Sequence, residues 1–343
     1  EISCSLVGSE MCIRDRKFAE KLYGLLAAVC VFGICGCDAA PAYNSALGFY
    51  LDTVITISGY ADKATLENAV ALCGEYEKVF SRTVEGSDVW RINHGEGSPV
   101  RVCDDTVELL TMALDICEKS GGALDITIAP ASDLWDFKSE QPKIPDRDQL
   151  ERAAKLVDYT KLKLEGDMVT FPAGMAIDLG AVAKGYIADK AAEYLKEQGV
   201  TRAILNLGGN VVALGSKPDG REWSIGIQDP EKENGKSGYS VMVADKSVVT
   251  SGIYQRGFDK DGVRYHHILD RATGWPVQNG LASVTIIADS SAMADAMSTA
   301  CFVLGRDMGM SFAEEMGVQA VFIGTDGKVS CTPALEGKLE KTE

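Results

Sequence analysis

Four short strings place polar groups where a folding chain usually wants apolar ones. Together their residue types could break a phosphate ester or a diphosphate. Asp178-Leu179-Gly180-Ala181-Val182-Ala183-Lys184-Gly185 offers a carboxylate, glycines that let backbone approach a ligand, and a cation. Asn206-Leu207-Gly208-Gly209 interrupts an apolar run, and His266-His267-Ile268-Leu269-Asp270 carries two of the 3 histidines. Ala294-Asp295-Ala296-Met297-Ser298-Thr299 spaces oxygen-bearing Asp295, Ser298 and Thr299 at i, i+3 and i+4, on one face of a helix. A histidine titrating near neutrality suits proton abstraction from a hydroxyl. One carboxylate with one or two hydroxyls is too weak a set for Zn²⁺. It suits Mg²⁺, which keeps water and phosphate oxygens as its other ligands.

Each string also has a structural reading. Residues 176–181 read as a strand turning into a helix whose first N–H groups and positive end favour an anion. Alternatively Asp178 only caps that helix and Lys184 is solvated. The double glycine is either a bulge at a close approach or a plain hairpin turn. In extended chain, adjacent residues face opposite sides, so one histidine of the pair can face a site while the other packs. The Asp295 face could equally be a buried packing feature. What favours chemistry is that all four strings supply parts of one reaction.

The elements that must position these groups are legible from periodicity. Alternation predicts a strand over 50–60, and apolar spacing predicts helices over 64–80 and 104–120. A short helix is expected over 148–155, then a hairpin of 162–165 with 168–171 about Gly166-Asp167. Helices follow over 183–198, 291–304 and 309–316, the second with Asp289, Ser290 and Ser291 competing as N-cap. Further strands are expected over 203–214, 223–228, 240–250, 266–269, 282–288 and 320–323. Without strict βαβ alternation this is an α+β chain, with mixed or antiparallel sheets flanked by helices.

At 343 residues with 46% hydrophobic content the chain has ample material for a core. A net charge of −16 argues against nucleic acid, whose phosphates are held by Lys and Arg. Lys17 and Lys21 precede an apolar stretch, residues 22–34, too short to span a bilayer, and Ile34-Cys35-Gly36-Cys37 resembles a lipobox. Residues 1–36 are therefore expected to be a signal peptide, of which 1–16 look extraneous. Cleavage would leave Cys37 for lipid attachment, with 37–47 as tether, 48–335 as the catalytic domain and 336–343 as a charged tail. The remaining cysteines, 73, 103, 117, 301 and 331, are odd in number and form no C-x-x-C pair, so neither a disulfide framework nor a zinc site is expected.

With Thr250-Ser251-Gly252-Ile253-Tyr254-Gln255-Arg256, these strings resemble the ApbE family of flavin transferases, over about residues 49–322. Weaker matches are Ser87-Asp88-Val89-Trp90-Arg91-Ile92-Asn93 and Gly121-Gly122-Ala123-Leu124-Asp125. The resemblance implies an ApbE-like fold with its active site between two sub-lobes. It also implies Mg²⁺-dependent transfer of FMN from FAD to a threonine hydroxyl of an exported or membrane redox subunit, with AMP released. The acceptor would carry a D-x-x-[ST]-G-A-T type motif, as in Rnf or Na⁺-translocating quinone reductase. By the same resemblance, metal ligands map onto the Ala181 carbonyl, Asp295 and Thr299, and the base onto His267. Flavin and nucleotide contacts map onto Leu51, Ala123, Leu124, Asp125, Asp178, Lys184, His267 and Ile268. The sequence departs from the family at Leu51-Asp52-Thr53, where M-G-T is usual, and at Asp270-Arg271-Ala272-Thr273-Gly274, which lacks a proline. Two other functions fit the same residues: an FAD pyrophosphatase yielding FMN and AMP, and a flavin-binding lipoprotein without turnover. The expected location is extracytoplasmic, lipid-anchored to a bacterial cell membrane.

Overall fold

A computed structural model of the chain describes residues 42–342, apart from residue 138 and residues 231–236. The expected signal peptide and Cys37 lie outside the described residues. The chain opens with a hairpin, β1 (Tyr43–Tyr50) and β2 (Thr53–Tyr60), followed by α1 (Lys63–Phe80). Asp62 caps α1 by accepting from the Thr65 N–H at 2.9 Å, and Leu66, Ala69, Val70 and Cys73 bury the face turned to the hairpin. Next come α2 (Asp88–Asn93), β3 (Val100–Arg101), α3 (Asp104–Lys119), α4 (Ala129–Ser132) and α5 (Arg147–Ala154). The hairpin β4 (Lys163–Glu165) and β5 (Met168–Thr170) turns at Gly166, φ 62°, as its Gly-Asp pair predicts.

Beyond it lie α6 (Ala183–Glu197), β6 (Ala203–Leu207), β7 (Asn210–Leu214), β8 (Trp223–Gln228), β9 (Ser237–Val243) and β10 (Lys246–Gly252). The hairpin β11 (Gly257–Lys260) and β12 (Val263–His266) precedes β13 (Leu281–Ala288), α7 (Ser291–Leu304) and α8 (Arg306–Glu315). The described chain closes with β14 (Gln319–Gly324), β15 (Val329–Cys331) and β16 (Leu339–Lys341).

One eight-stranded sheet, in the order β1-β2-β6-β7-β10-β13-β14-β15, organises the molecule, and its neighbours all pair antiparallel. Helices α1, α6 and α7 pack on one face. A small sheet, β16-β9-β8, covers part of the other, where Trp223, Ile225 and Val241 meet Ala213, Val248 and Ile287. Strand β13 is therefore buried at all eight positions, including its two polar residues, Ser283 and Thr285. The mixture of helices and antiparallel sheets is the α+β class expected.

Several boundaries differ from the sequence reading. The expected tether is already strand from Tyr43, and Leu339–Lys341 of the expected tail pairs with β9. The single strand expected over 240–250 is two, β9 and β10, because Asp245 turns the chain at φ 50°. The strand expected over 266–269 ends at His266. The strand expected before α6 reduces to one parallel bridge, Ile128 with Ala176.

Candidate active site

The site is built where α6 crosses α7. Gly185, in the first turn of α6, is the reason they meet backbone to backbone: a Cβ there would lie 2.2 Å from the Ser291 carbonyl oxygen. One turn on, the Asp189 carboxylate accepts from the N–H groups of Ser291 and Ala292 at 2.8 and 2.9 Å and from the Ser290 hydroxyl at 2.8 Å. Ser290 itself accepts from Met293 N–H at 3.2 Å, so among the three N-cap candidates the cap is Ser290. Burial pushes the Asp189 carboxyl up, opposed by these donors.

This crossing delivers Asp295, only 3% exposed on a helix that is otherwise apolar on almost every side. Its Oδ2 accepts from the Gly185 N–H at 3.0 Å, and Lys184 Nζ stands 3.5 Å from Oδ1. The same ammonium donates to the Gly180 carbonyl at 3.1 Å. Gly185 is the third residue of α6, so its N–H has no acceptor within the helix and is satisfied by Asp295 instead. The two hydroxyls on the Asp295 face divide their roles. Ser298 is buried, donates to the Asp295 carbonyl at 2.8 Å and meets the Ser251 hydroxyl at 2.8 Å. Thr299 is half-buried, with its Oγ1 at 3.2 Å from Ser251 Oγ.

The histidines behave oppositely, as extended chain requires. His266 is 1% exposed; its Nε2 faces the Val277 carbonyl at 3.0 Å and its Nδ1 accepts from Ile268 N–H at 3.3 Å. Those partners assign a neutral ring with the proton on Nε2, and burial pushes its pKa down to about 4. His267 is half-buried, and its Nδ1 lies 3.2 Å from the Arg256 carbonyl. That bond assigns the proton to Nδ1 and leaves Nε2 with a free lone pair. Desolvation lowers its pKa to about 4, aided by the positive charges of Arg256 and Lys184, so the ring is neutral at physiological pH.

The remaining candidates frame this centre. Asp178 does not cap α6: its Oδ1 accepts from Gly180 N–H at 2.8 Å, and Arg82 Nε lies 3.6 Å from its Oδ2. Its own N–H donates to the Ile126 carbonyl at 2.8 Å, joining this turn to the 121–125 string. There Ala123 is half-buried, while Leu124 is buried and donates from its N–H to Ser120 Oγ at 3.2 Å. The buried Asp125 carboxylate is turned inward. It accepts from Thr127 N–H and Oγ1 at 2.9 and 2.6 Å, Tyr159 N–H at 3.1 Å and Arg271 at 3.3 Å. A carboxylate so engaged holds the string in shape, and a ligand there would meet backbone rather than Asp125 oxygens. Ile268 is buried, its carbonyl accepting from Val277 N–H at 3.0 Å.

Leu51 sits at the tip of the first hairpin with φ 57°, beside Asp52 at the same angle, and its N–H donates to Glu77 Oε1 at 2.7 Å. This is the left-handed pair a two-residue hairpin loop demands, in residues that adopt it at some cost. Next to it, Gly208-Gly209 turns β6 into β7 with φ 62° and 100°. A Cβ on Gly208 would meet Thr53 Oγ1 at 2.3 Å, so the double glycine is both hairpin turn and close approach.

Three supporting residues were not singled out by sequence as site residues. Asn93 brackets Ile177, donating to its carbonyl at 2.9 Å and accepting from its N–H at 2.8 Å. Ser251 holds both hydroxyls of α7, and Asp189 closes the α6–α7 crossing. Asn93 and Ser251 fall inside the strings quoted above, which was the available signal; nothing local marked Asp189.

Among the described residues, no cluster of three or more His, Cys, Asp and Glu is suited to a metal. A cation here would rest on one carboxylate with neutral oxygens, a set that fits Mg²⁺ shared with a diphosphate and not Zn²⁺.

The ApbE family model matches residues 51–322. The chain is 37% identical over 339 residues to an FAD:protein FMN transferase of Treponema pallidum, covering 92% of this chain and 94% of that one. It is 34% identical over 267 residues to one of Klebsiella pneumoniae, covering 76% and 83%. Among solved structures, the ApbE protein of Thermotoga maritima superposes with a TM-score of 0.80 at 32% identity, over 88% of this chain and 100% of that one. The flavin transferase ApbE of Vibrio cholerae gives 0.77 at 26%, over 87% and 100%.

Proposed function

The chain belongs to the ApbE family, and from that premise we propose that it is a flavin transferase that moves FMN from FAD to a threonine hydroxyl of a partner protein, releasing AMP. The observation that carries this reading is the meeting of a buried Asp295, the Lys184 ammonium and the α6 N-terminus. Anionic phosphates would be drawn to the ammonium and the helix end. His267 Nε2 would take the proton of the incoming hydroxyl. The Thr Oγ–P bond then forms at the FMN phosphorus as the P–O bond to AMP breaks, AMP leaving with the electron pair. General-base help of this kind is worth ~10²–10⁴ in rate.

Ala181 through its carbonyl, Asp295 and Thr299 would hold Mg²⁺, which supplies charge neutralisation of the diphosphate. Leu51, Ala123, Leu124 and Ile268 would bound the flavin and nucleotide, with Asp178 and Lys184 at the polar end. We further propose an acceptor of the D-x-x-[ST]-G-A-T type in a membrane redox subunit, and attachment of the enzyme outside the cytoplasm through lipidated Cys37.

Mixing the protein with FAD and Mg²⁺ tests turnover through AMP release. Yellow fluorescence that stays with an acceptor on a denaturing gel tests transfer. AMP and free FMN without labelled acceptor would instead mean pyrophosphatase activity.

A further inference from the structure

The first hairpin has one face packed and one face bare. Inward, Ala46 is buried, Gly48 lies so close to Val70 that a Cβ would approach it to 2.5 Å, and Tyr50 fills the space beside Gly74. Outward, Leu47 and Phe49 are each 68% exposed and Val54, directly opposite Phe49, is 53% exposed. Residues facing each other across the pair share a side. The rest of that side is therefore Tyr43, Tyr60, Thr56 and the hydrogen-bonded Ser45 and Ser58, with no charge anywhere on it. Among the described residues, the small β16-β9-β8 sheet covers the same side of the main sheet farther along, packing against Tyr60 and Ile204 and leaving β1 uncovered. On a chain of net charge −16, such an uncharged apolar stripe marks a contact surface. The outer edge of β1 also lacks the lysine, proline or bulge that usually guards an exposed strand.

We propose that this face lies on the lipid bilayer and orients the enzyme. The inference rests on the reading of Cys37 as the anchor. Only five residues separate Cys37 from Tyr43, so β1 can start no more than about 20 Å from the lipid. A hairpin held that close is within reach of the membrane surface, and its stripe suits the interface: apolar side chains, tyrosines, no carboxylate to repel lipid phosphate. With the hairpin lying flat, the loop at Leu51 and the Gly208-Gly209 turn are kept at the membrane surface, where a membrane-borne acceptor would be reached.

The test uses the full chain expressed and processed in cells, with Phe49 or, as control, the equally open Met308 on α8 replaced by photoreactive benzoylphenylalanine. The expected result after illumination is a phospholipid adduct at position 49 and none at 308. An adduct to a second copy or another protein, equal lipid labelling at both positions, or no adduct in membrane-bound protein overturns the proposal. Recovery of the chain in the soluble fraction overturns the anchor reading itself, which membrane fractionation reports separately.

Discussion

At Asp295 a single carboxylate is placed where an apolar side chain would pack better, and it is satisfied by one N–H and one ammonium rather than by a cage of donors. Burial without full compensation is costly, and structures tolerate it where the group has work to do. Asp295→Asn keeps the shape and removes the charge. FMN transfer should fall by about 10³-fold or more, the several kcal/mol expected of metal assistance, with little loss of fold. Transfer rates beside thermal melting decide this. His267→Ala should cost less than Asp295→Asn, about 10²-fold, the low end of general-base help. Because the His267 pKa is lowered to about 4, the proposed base is already neutral at pH 7. The rate should hold from pH 8 to about pH 5.5 and drop only as pH falls toward 4. A drop centred near 6.5 would mean an ordinary exposed histidine. What sequence could read at this scale was residue type and spacing. It could not read direction: Asp125 turns inward to four donors and Asp178 bonds its own turn, outcomes set by contacts up to 146 positions away.

Elements place these groups through one crossing. Gly185→Ala pushes a methyl into the Ser291 carbonyl, and relief requires α6 and α7 to separate. Overpacking of this kind costs about 1–3 kcal/mol. It should also abolish transfer, because the Gly185 N–H and Lys184 move away from Asp295. Chemical denaturation and FMN-transfer assays on the same preparation read both effects. Asp189→Ala removes an interhelical cap worth about 0.5–2 kcal/mol, and should lower stability with a smaller effect on rate. The long helices were legible because their apolar spacing is regular and their caps are local, as at Asp62 and Ser290. Strand β1 was not, since Gly48 and Tyr50 are explained only by packing against Val70 and Gly74 of α1. The break between β9 and β10 was hidden because it turns on Asp245, without the Gly that usually marks such a turn.

For the molecule as a whole, the neutral buried His266 makes stability depend on pH. The unfolded chain takes up a proton below about pH 6.5, whereas the folded ring resists protonation until about pH 4. The unfolded state therefore binds more protons between those values. Stability from this residue is complete above pH 6.5 and is lost as pH falls toward 4, by about 2–3 kcal/mol at pH 4.5. Urea unfolding at pH 7 and pH 4.5 should show that loss, and His266→Phe should reduce it. At this scale the class and the order of motifs were readable, but not the eight-stranded order, which depends on pairings such as β2 with β6 that no local pattern announces. The most direct test of the whole account combines FAD, Mg²⁺ and an acceptor domain carrying the D-x-x-[ST]-G-A-T motif with wild-type protein or Asp295→Asn, and counts AMP released and FMN covalently bound. The prediction is one AMP for each FMN on the acceptor in the wild type, and neither product above background in the variant. Full transfer by Asp295→Asn would contradict the account.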